Sequence, residues 1–203
     1  MHVTLSSFAL VAAVSALPNR QGRADAATAN AFTLVAHAPD PNVDLDPSVE
    51  GLVLSSAHTG AGISVAVFTD GTPRLFYQNG TAGASTLLTD SGSPPFPSSL
   101  QLQAITEPRT AGSISIGQGS PAYVGDFGTV INGIEVGTFL ACPEVVPYYN
   151  QTFITLQYVY GDAAAGDVPG CAIIDLQARC ATLNDLPDGS ISNHHFATDV
   201  VCQ

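Results

Sequence analysis

From Phe32 onward the chain is a run of short alternating segments closed by turn clusters, and none offers three clean turns of amphipathic helix. Phe32 to His37 reads as a strand, broken by Pro39-Asp40-Pro41-Asn42. Leu52 to Ser56 resumes, Thr59-Gly60-Ala61-Gly62 turns the chain, and Ile63 to Phe68 alternates with period two. Asp70-Gly71-Thr72-Pro73 then leads into Arg74 to Gln78, and the pattern predicts a hairpin of these last two segments. Ser91 to Ser99 carries three prolines and reads as a loop. Leu100 to Thr106 and Ser113 to Ile116 are further strands. Asn132-Gly133, between Val130-Ile131 and Ile134-Glu135-Val136, is the strongest hairpin signal, because both residues tolerate the positive φ of a type I′ turn. Thr138 to Cys142, Thr152 to Tyr160 and Cys171 to Leu176 complete the series. Turn signals recurring at roughly 8–12-residue intervals predict an all-β fold, a single-domain antiparallel β-sandwich or barrel.

The first residues set the compartment. Val3 to Ala16 is uncharged, too short to span a bilayer, and ends in small residues, Val14-Ser15-Ala16. Residues 1–16 are therefore expected to be a secretory signal peptide. Residues 17–31 lack alternation and a helical face, and read as a flexible leader or short pro-segment. The β domain is expected over 32–183, with 184–203 as a tail tethered by a disulfide. The four cysteines, Cys142, Cys171, Cys180 and Cys202, lie in the last third of the chain. An even count in a secreted chain reads as two disulfides with three possible pairings. Loop size favours Cys142–Cys171 with Cys180–Cys202, and no Cys-x-x-Cys pair suggests zinc.

Charge narrows the partners. The 203 residues include no lysine and five arginines against seventeen acidic side chains, a net charge of −12. Such a surface repels phosphate, so neither nucleic acid nor an anionic membrane is an expected partner. Sequons at Asn79-Gly80-Thr81 and Asn150-Gln151-Thr152 agree with secretion and place Asn79 and Asn150 as glycosylation candidates.

The strand leading into His58-Thr59-Gly60-Ala61-Gly62, the later Phe76-Tyr77-Gln78-Asn79-Gly80-Thr81, and the Cys142…Cys171-x-x-x-Asp175-Leu176 close resemble a family of small secreted fungal proteins. That family is an uncharacterised domain, with some members labelled IgE-binding or cell-wall proteins, and the resemblance covers roughly residues 32 to 178. It implies an ascomycete source, an extracellular β domain and a Cys142–Cys171 bridge. It carries no catalytic residues over. The chain departs from the pattern in lacking a tryptophan near Cys142 and in adding Cys180 and Cys202.

Candidate chemistry is sparse. No Gly-x-Ser-x-Gly occurs, and nothing places a serine beside His37, His58, His194 or His195. The plainer expectation for His58 is a ring that hydrogen-bonds and steadies the Gly-rich turn. Asp40-x-Asn42-x-Asp44-x-Asp46 alternates hard oxygens as calcium loops do, yet Leu45 and Gly51 stand where an EF-hand needs Gly and Glu. A solvated acidic turn is the expectation there. His194-His195 offers imidazole to a metal but has no matching carboxylate spacing, and reads as an exposed tail. No metal or cofactor is expected. Glu107, Glu135 and Glu144 are the only glutamates past Glu50, a small pool for glycoside hydrolysis. With no tryptophan, exposed rings must come from tyrosine, and Tyr148-Tyr149 beside Pro147 is the best aromatic surface. The expected ligand surface is thus His58, Tyr148 and Tyr149. The composite reading is a secreted, non-catalytic extracellular or cell-wall-associated protein that binds cell-wall polysaccharide or an extracellular protein. The alternatives are a hydrolase of unrecognised type and a host-directed effector.

Overall fold

The computed structural model describes residues 27–81, 84–102, 109–117, 119–133, 136–161 and 169–203. The expected signal peptide and most of the expected leader lie outside these residues. In chain order the strands are β1 (Ala27–Ala29), β2 (Ala31–His37), β3 (Val53–Gly60), β4 (Ile63–Thr69), β5 (Leu75–Asn79), β6 (Thr86–Ser91), β7 (Phe96–Leu102) and β8 (Arg109–Ser115). They continue as β9 (Ala122–Val124), β10 (Val130–Asn132), β11 (Gly137–Val146), β12 (Gln151–Tyr160), β13 (Ala172–Ala181), β14 (Ala197–Thr198) and β15 (Val200–Cys202). Among the described residues the only helical element is a short 3₁₀ turn, Pro41–Val43. The fold is all-β, as the alternation predicts.

Every pairing is antiparallel, and the main sheet closes on itself. Its circuit runs β2–β5–β6–β7–β8–β12–β11–β13 and back to β2. The β3–β4 hairpin is wedged into this circuit where two strands fork. β2 pairs with β5 through Phe32 and Thr33 and with β3 through Val35. β12 pairs with β4 at Ile154 and Thr155 and with β8 from Gln157 to Val159. Closure of this circuit leaves few free strand edges to pair with other chains.

The core follows from period-two alternation. Phe32, Leu34 and Ala36 of β2 point inward with Leu54, Phe68, Phe76, Leu87, Leu100, Ile114, Leu156 and Leu176. Phe32 sits opposite Phe76 in register, and their rings stack at 6.5 Å. Leu140 and Cys142 bury the other face of β11 against Val159, Cys171 and Ile173. The Cys142–Cys171 and Cys180–Cys202 disulfides are both present. The second ties β15, the partner of β1, onto β13. β1, at Ala27–Ala29, thus lies inside the stretch expected to be a leader.

Three local expectations are overturned. β4 forms its hairpin with β3, not β5, because the tight turn at Ala61-Gly62 (Gly62 φ 70°) commits one edge of β4 and β12 and β8 take the other. Asn132 does not turn the chain. It is 8% exposed, pairs with Ala122 in the β9–β10 ladder, and Gly133 N–H donates to Pro121 O at 2.7 Å. The hairpin turns earlier, at Gly128 (φ 73°), so strand pairing outweighs the turn preference of Asn-Gly. The proline-rich stretch is only partly a loop, since β7 begins at Phe96 and contains Pro97. There β7 pairs with β6 alone, before it meets β8 at Ser99, so the missing proline N–H costs no second ladder bond.

Candidate functional site

The longest hairpin of the chain presents the expected aromatic surface. β11 and β12 pair through ten positions, from Gly137 opposite Tyr160 to Val146 opposite Gln151. Residues 147–150 cap it, with Tyr149 N–H and Asn150 N–H both donating to Val146 O at 3.0 Å. Asn150 supplies the positive φ that this turn needs (51°), a conformation asparagine tolerates better than most residues. The turn thrusts Tyr148 and Tyr149 outward, 62% and 43% exposed.

Their rings form a continuous surface. Tyr148 meets Tyr149 edge to face at 5.1 Å, and Tyr149 packs on Phe153 at 5.4 Å. From β3, the ring of His58 abuts Tyr148 at 5.9 Å. The ladder shifts register between His58 and Gly60, an irregularity of the kind that re-aims a side chain. The His58 ring therefore does not bond the Gly-rich turn; Thr59 Oγ1 does, donating to Ile63 O at 3.3 Å. All three expected ligand-surface residues come together.

Beside Tyr148 a groove of about 670 Å³ runs along the outer face of the sheet, lined by Thr59, Val65, Glu144, Thr155 and Gln157 among others. Its floor is a polar relay. Gln157 Nε2 donates to Glu144 Oε1 at 3.2 Å and to Thr155 Oγ1 at 3.3 Å, and Thr155 Oγ1 donates to Cys142 O at 3.1 Å. Thr155 and Gln157 are buried, so these polar groups are fixed rather than mobile. Phe153 and Gln157 were not legible as site residues, although period two puts Phe153, Thr155 and Gln157 on one face of β12, and Glu144 stood out only as one of the few glutamates. Among the described residues lining the groove, Glu144 is the sole carboxylate.

The other candidates fall elsewhere. His37 Nδ1 lies 3.0 Å from Glu50 Oε2. Asp40 Oδ1 accepts from Asn42 N–H, and Asp44 accepts from Leu45 N–H, Val49 N–H and the Ser48 hydroxyl. Burial pushes the Asp44 carboxyl up, yet the bonds from Ser48, Val49 and Leu45 hold it below the usual range. These carboxylates fasten the loop and do not converge on a common point. His194 is not an exposed tail residue: its side chain is 15% exposed and its Nε2 lies 2.9 Å from Asp90 Oδ2. It also packs edge-on against the buried Tyr77 ring at 4.9 Å. His195 stays exposed. Asn150 is exposed in its turn, and Asn79 ends β5 half-buried. Among the described residues no group of three His, Cys, Asp or Glu could hold a metal ion, and no helix is long and apolar enough to cross a membrane.

A domain of unknown function, DUF7907, matches residues 29–180, most of the strands just described. The chain belongs to this family. A fungal relative, "Antigenic protein SchS34" of Stachybotrys chartarum, is 31% identical over 191 residues, covering 86% of each chain. No solved structure matches the chain. Membership of DUF7907 agrees with the expected uncharacterised fungal family, and the antigenic relative and the two disulfides fit an extracellular DUF7907 protein.

Proposed function

We propose that this protein is a secreted, non-catalytic glycan-binding protein of the fungal wall or its surroundings. The observation that carries the reading is the ring series of exposed Tyr148 and Tyr149 on half-buried Phe153, edged by His58 and set beside the Glu144–Gln157 groove. A sugar ring offers apolar C–H faces to aromatic rings and hydroxyls to amides and carboxylates, and this arrangement supplies both partners side by side. Glycoside hydrolysis needs a second carboxylate across from the first, and no described groove residue besides Glu144 supplies one. Residues 1–16 act as the signal peptide in this reading, and Asn79 and Asn150 carry glycan. The name of the antigenic relative fits a protein met outside the cell.

The test is co-sedimentation of the secreted, glycosylated protein with insoluble chitin, β-glucan and mannan-bearing wall fragments. Saturable retention on one of them, lost on substituting Tyr148 and Tyr149, supports the reading. Absence of retention on all three overturns it.

A further inference from the structure

The inward face of the barrel changes character at one end. On β3 and β4 the inward pairs run Leu54 opposite Phe68, Ser56 opposite Ala66, then His58 opposite Ser64. On β6 and β7, Thr89 stands opposite Ser98 and Ser91 opposite Phe96. The rows that are apolar in mid-barrel thus become hydroxyl-rich at this rim. They enclose a cavity of about 300 Å³ lined by Ser56, His58, Ser64, Arg74, Phe96 and Ser98, with Ile114 among its apolar walls.

Arg74 is the unusual member. Its Nε donates to Ser56 Oγ at 3.1 Å. Its Nη1 donates to Asp90 O at 3.0 Å, Ser91 Oγ at 3.0 Å and Thr89 Oγ1 at 3.3 Å. Every one of these partners is neutral. The Asp90 carboxylate is taken by His194 instead. Nη2 makes no hydrogen bond to the described residues, and the side chain lines the cavity. Burial lowers the guanidinium pKa, with the Asp90 charge acting the other way, and this half-buried cation has no carboxylate in hydrogen-bond contact. A partly desolvated charge with only neutral contacts gains from a ligand oxyanion.

We propose that this barrel mouth binds a small monocarboxylate with a compact apolar body. The carboxylate takes Nη2 of Arg74 and the hydroxyls of the rim, and the body lies against Phe96 and Ile114. A single arginine with Asp90 close by suits one negative charge and disfavours a dianion such as sulfate. The net charge of −12 also disfavours a polyanion. The site borders the glycan surface at His58, which lines the cavity and abuts Tyr148, but neither Tyr148 nor Tyr149 lines it.

The experiment titrates the full secreted protein with benzoate, with the neutral isostere benzamide and with sulfate, following amide resonances by NMR. Benzoate is expected to saturate and to shift Ser56, Ser91 and Ser98, while benzamide and sulfate do not. Arg74→Gln should weaken benzoate by about tenfold to a hundredfold, the range for losing a bond to a charged group. Should Arg74→Gln fail to fold, the three-ligand comparison on the native chain still decides. Equal binding of benzamide, tighter binding of sulfate, shifts confined to another face, or no saturation by benzoate would each overturn the proposal.

Discussion

The imidazole of His58 meets the ring of Tyr148 edge to face, 5.9 Å between centroids at an interplanar angle of 84°. The contact joins the β3–β4 hairpin to the cap of the β11–β12 hairpin. These two hairpins also pair directly, through β4 and β12 at Val67–Thr155 and Phe68–Ile154. The aromatic surface is therefore carried on paired strands, which holds its rings in a fixed relation before any ligand arrives.

Tyr148→Ala combined with Tyr149→Ala should abolish retention on wall polysaccharide and leave folding almost untouched. Exposed positions of this kind usually change stability by no more than about 0.5 kcal/mol. Pull-down on the retaining polysaccharide, run beside a urea melt, separates the two effects. Unchanged retention by a folded double variant would remove the tyrosines from the site.

Asp44 should make the 40–50 loop acid-sensitive. Its folded pKa lies below the ordinary value, because bonds from Ser48, Val49 and Leu45 outweigh the effect of burial. A depressed carboxyl stabilises fully above its unfolded pKa, near 3.9 for aspartate, and loses that contribution as pH falls through the lower folded value. Asp44→Ala is expected to cost about 1 kcal/mol at neutral pH, the usual scale for a lost capping carboxylate. The deficit should shrink when urea melts are repeated on falling through that acid window.

Tyr77→Phe should be neutral or slightly stabilising at pH 7. The Tyr77 hydroxyl is buried and makes no hydrogen bond of ordinary length, and Asp90 Oδ1 beside it is likewise unbonded. Burial first, then the Asp90 charge, pushes the phenol up to about 12. With the folded pKa above the unfolded one, stability is full below pH about 10 and is lost as pH rises toward the folded value. Phenylalanine has no proton to lose, so the variant should lose less stability than the parent between those limits. Denaturant midpoints at pH 7 and in that alkaline range report both effects.

Replacing Cys180 and Cys202 together by serine should cost about 3 kcal/mol on a chain-entropy scale for a loop of this size. The bond spans 22 residues of sequence and holds β15 beside β13, which in turn gives β1 its partner. Hydrogen exchange should show β1, β14 and β15 opening first, ahead of the main circuit. Uniform loss of protection across all strands would contradict this order.

Much of the architecture was legible because alternation with period two is a property of the local chain. It identified β2, β4, β12 and the first half of β13, and with them which side chains share a face. The preferred cysteine pairing followed from loop size and from the fastening of the C-terminal tail. Local turn chemistry was less dependable: Asn132-Gly133 has the dihedral freedom of a hairpin turn, yet Asn132 lies flat in the β9–β10 ladder because pairing with Ala122 engages its backbone. Pro97 reads as a breaker and sits in a strand because its free edge happens to be unpaired there.

What the sequence determined by itself was the all-β class, the acidic surface, the cysteine framework and the identity of His58, Tyr148 and Tyr149 as available groups. What only the tertiary structure decided was adjacency. Register and closure of the sheet bring His58 to Tyr148 and put Glu144 and Gln157 beneath them. The same closure turns Ser56 of β3 and Ser91 of β6 onto Arg74 and gives Asp90 to His194 instead. These outcomes depend on which strand edges meet across long stretches of chain. Strand pairing is set by the packing of the whole core, so no local pattern encodes it.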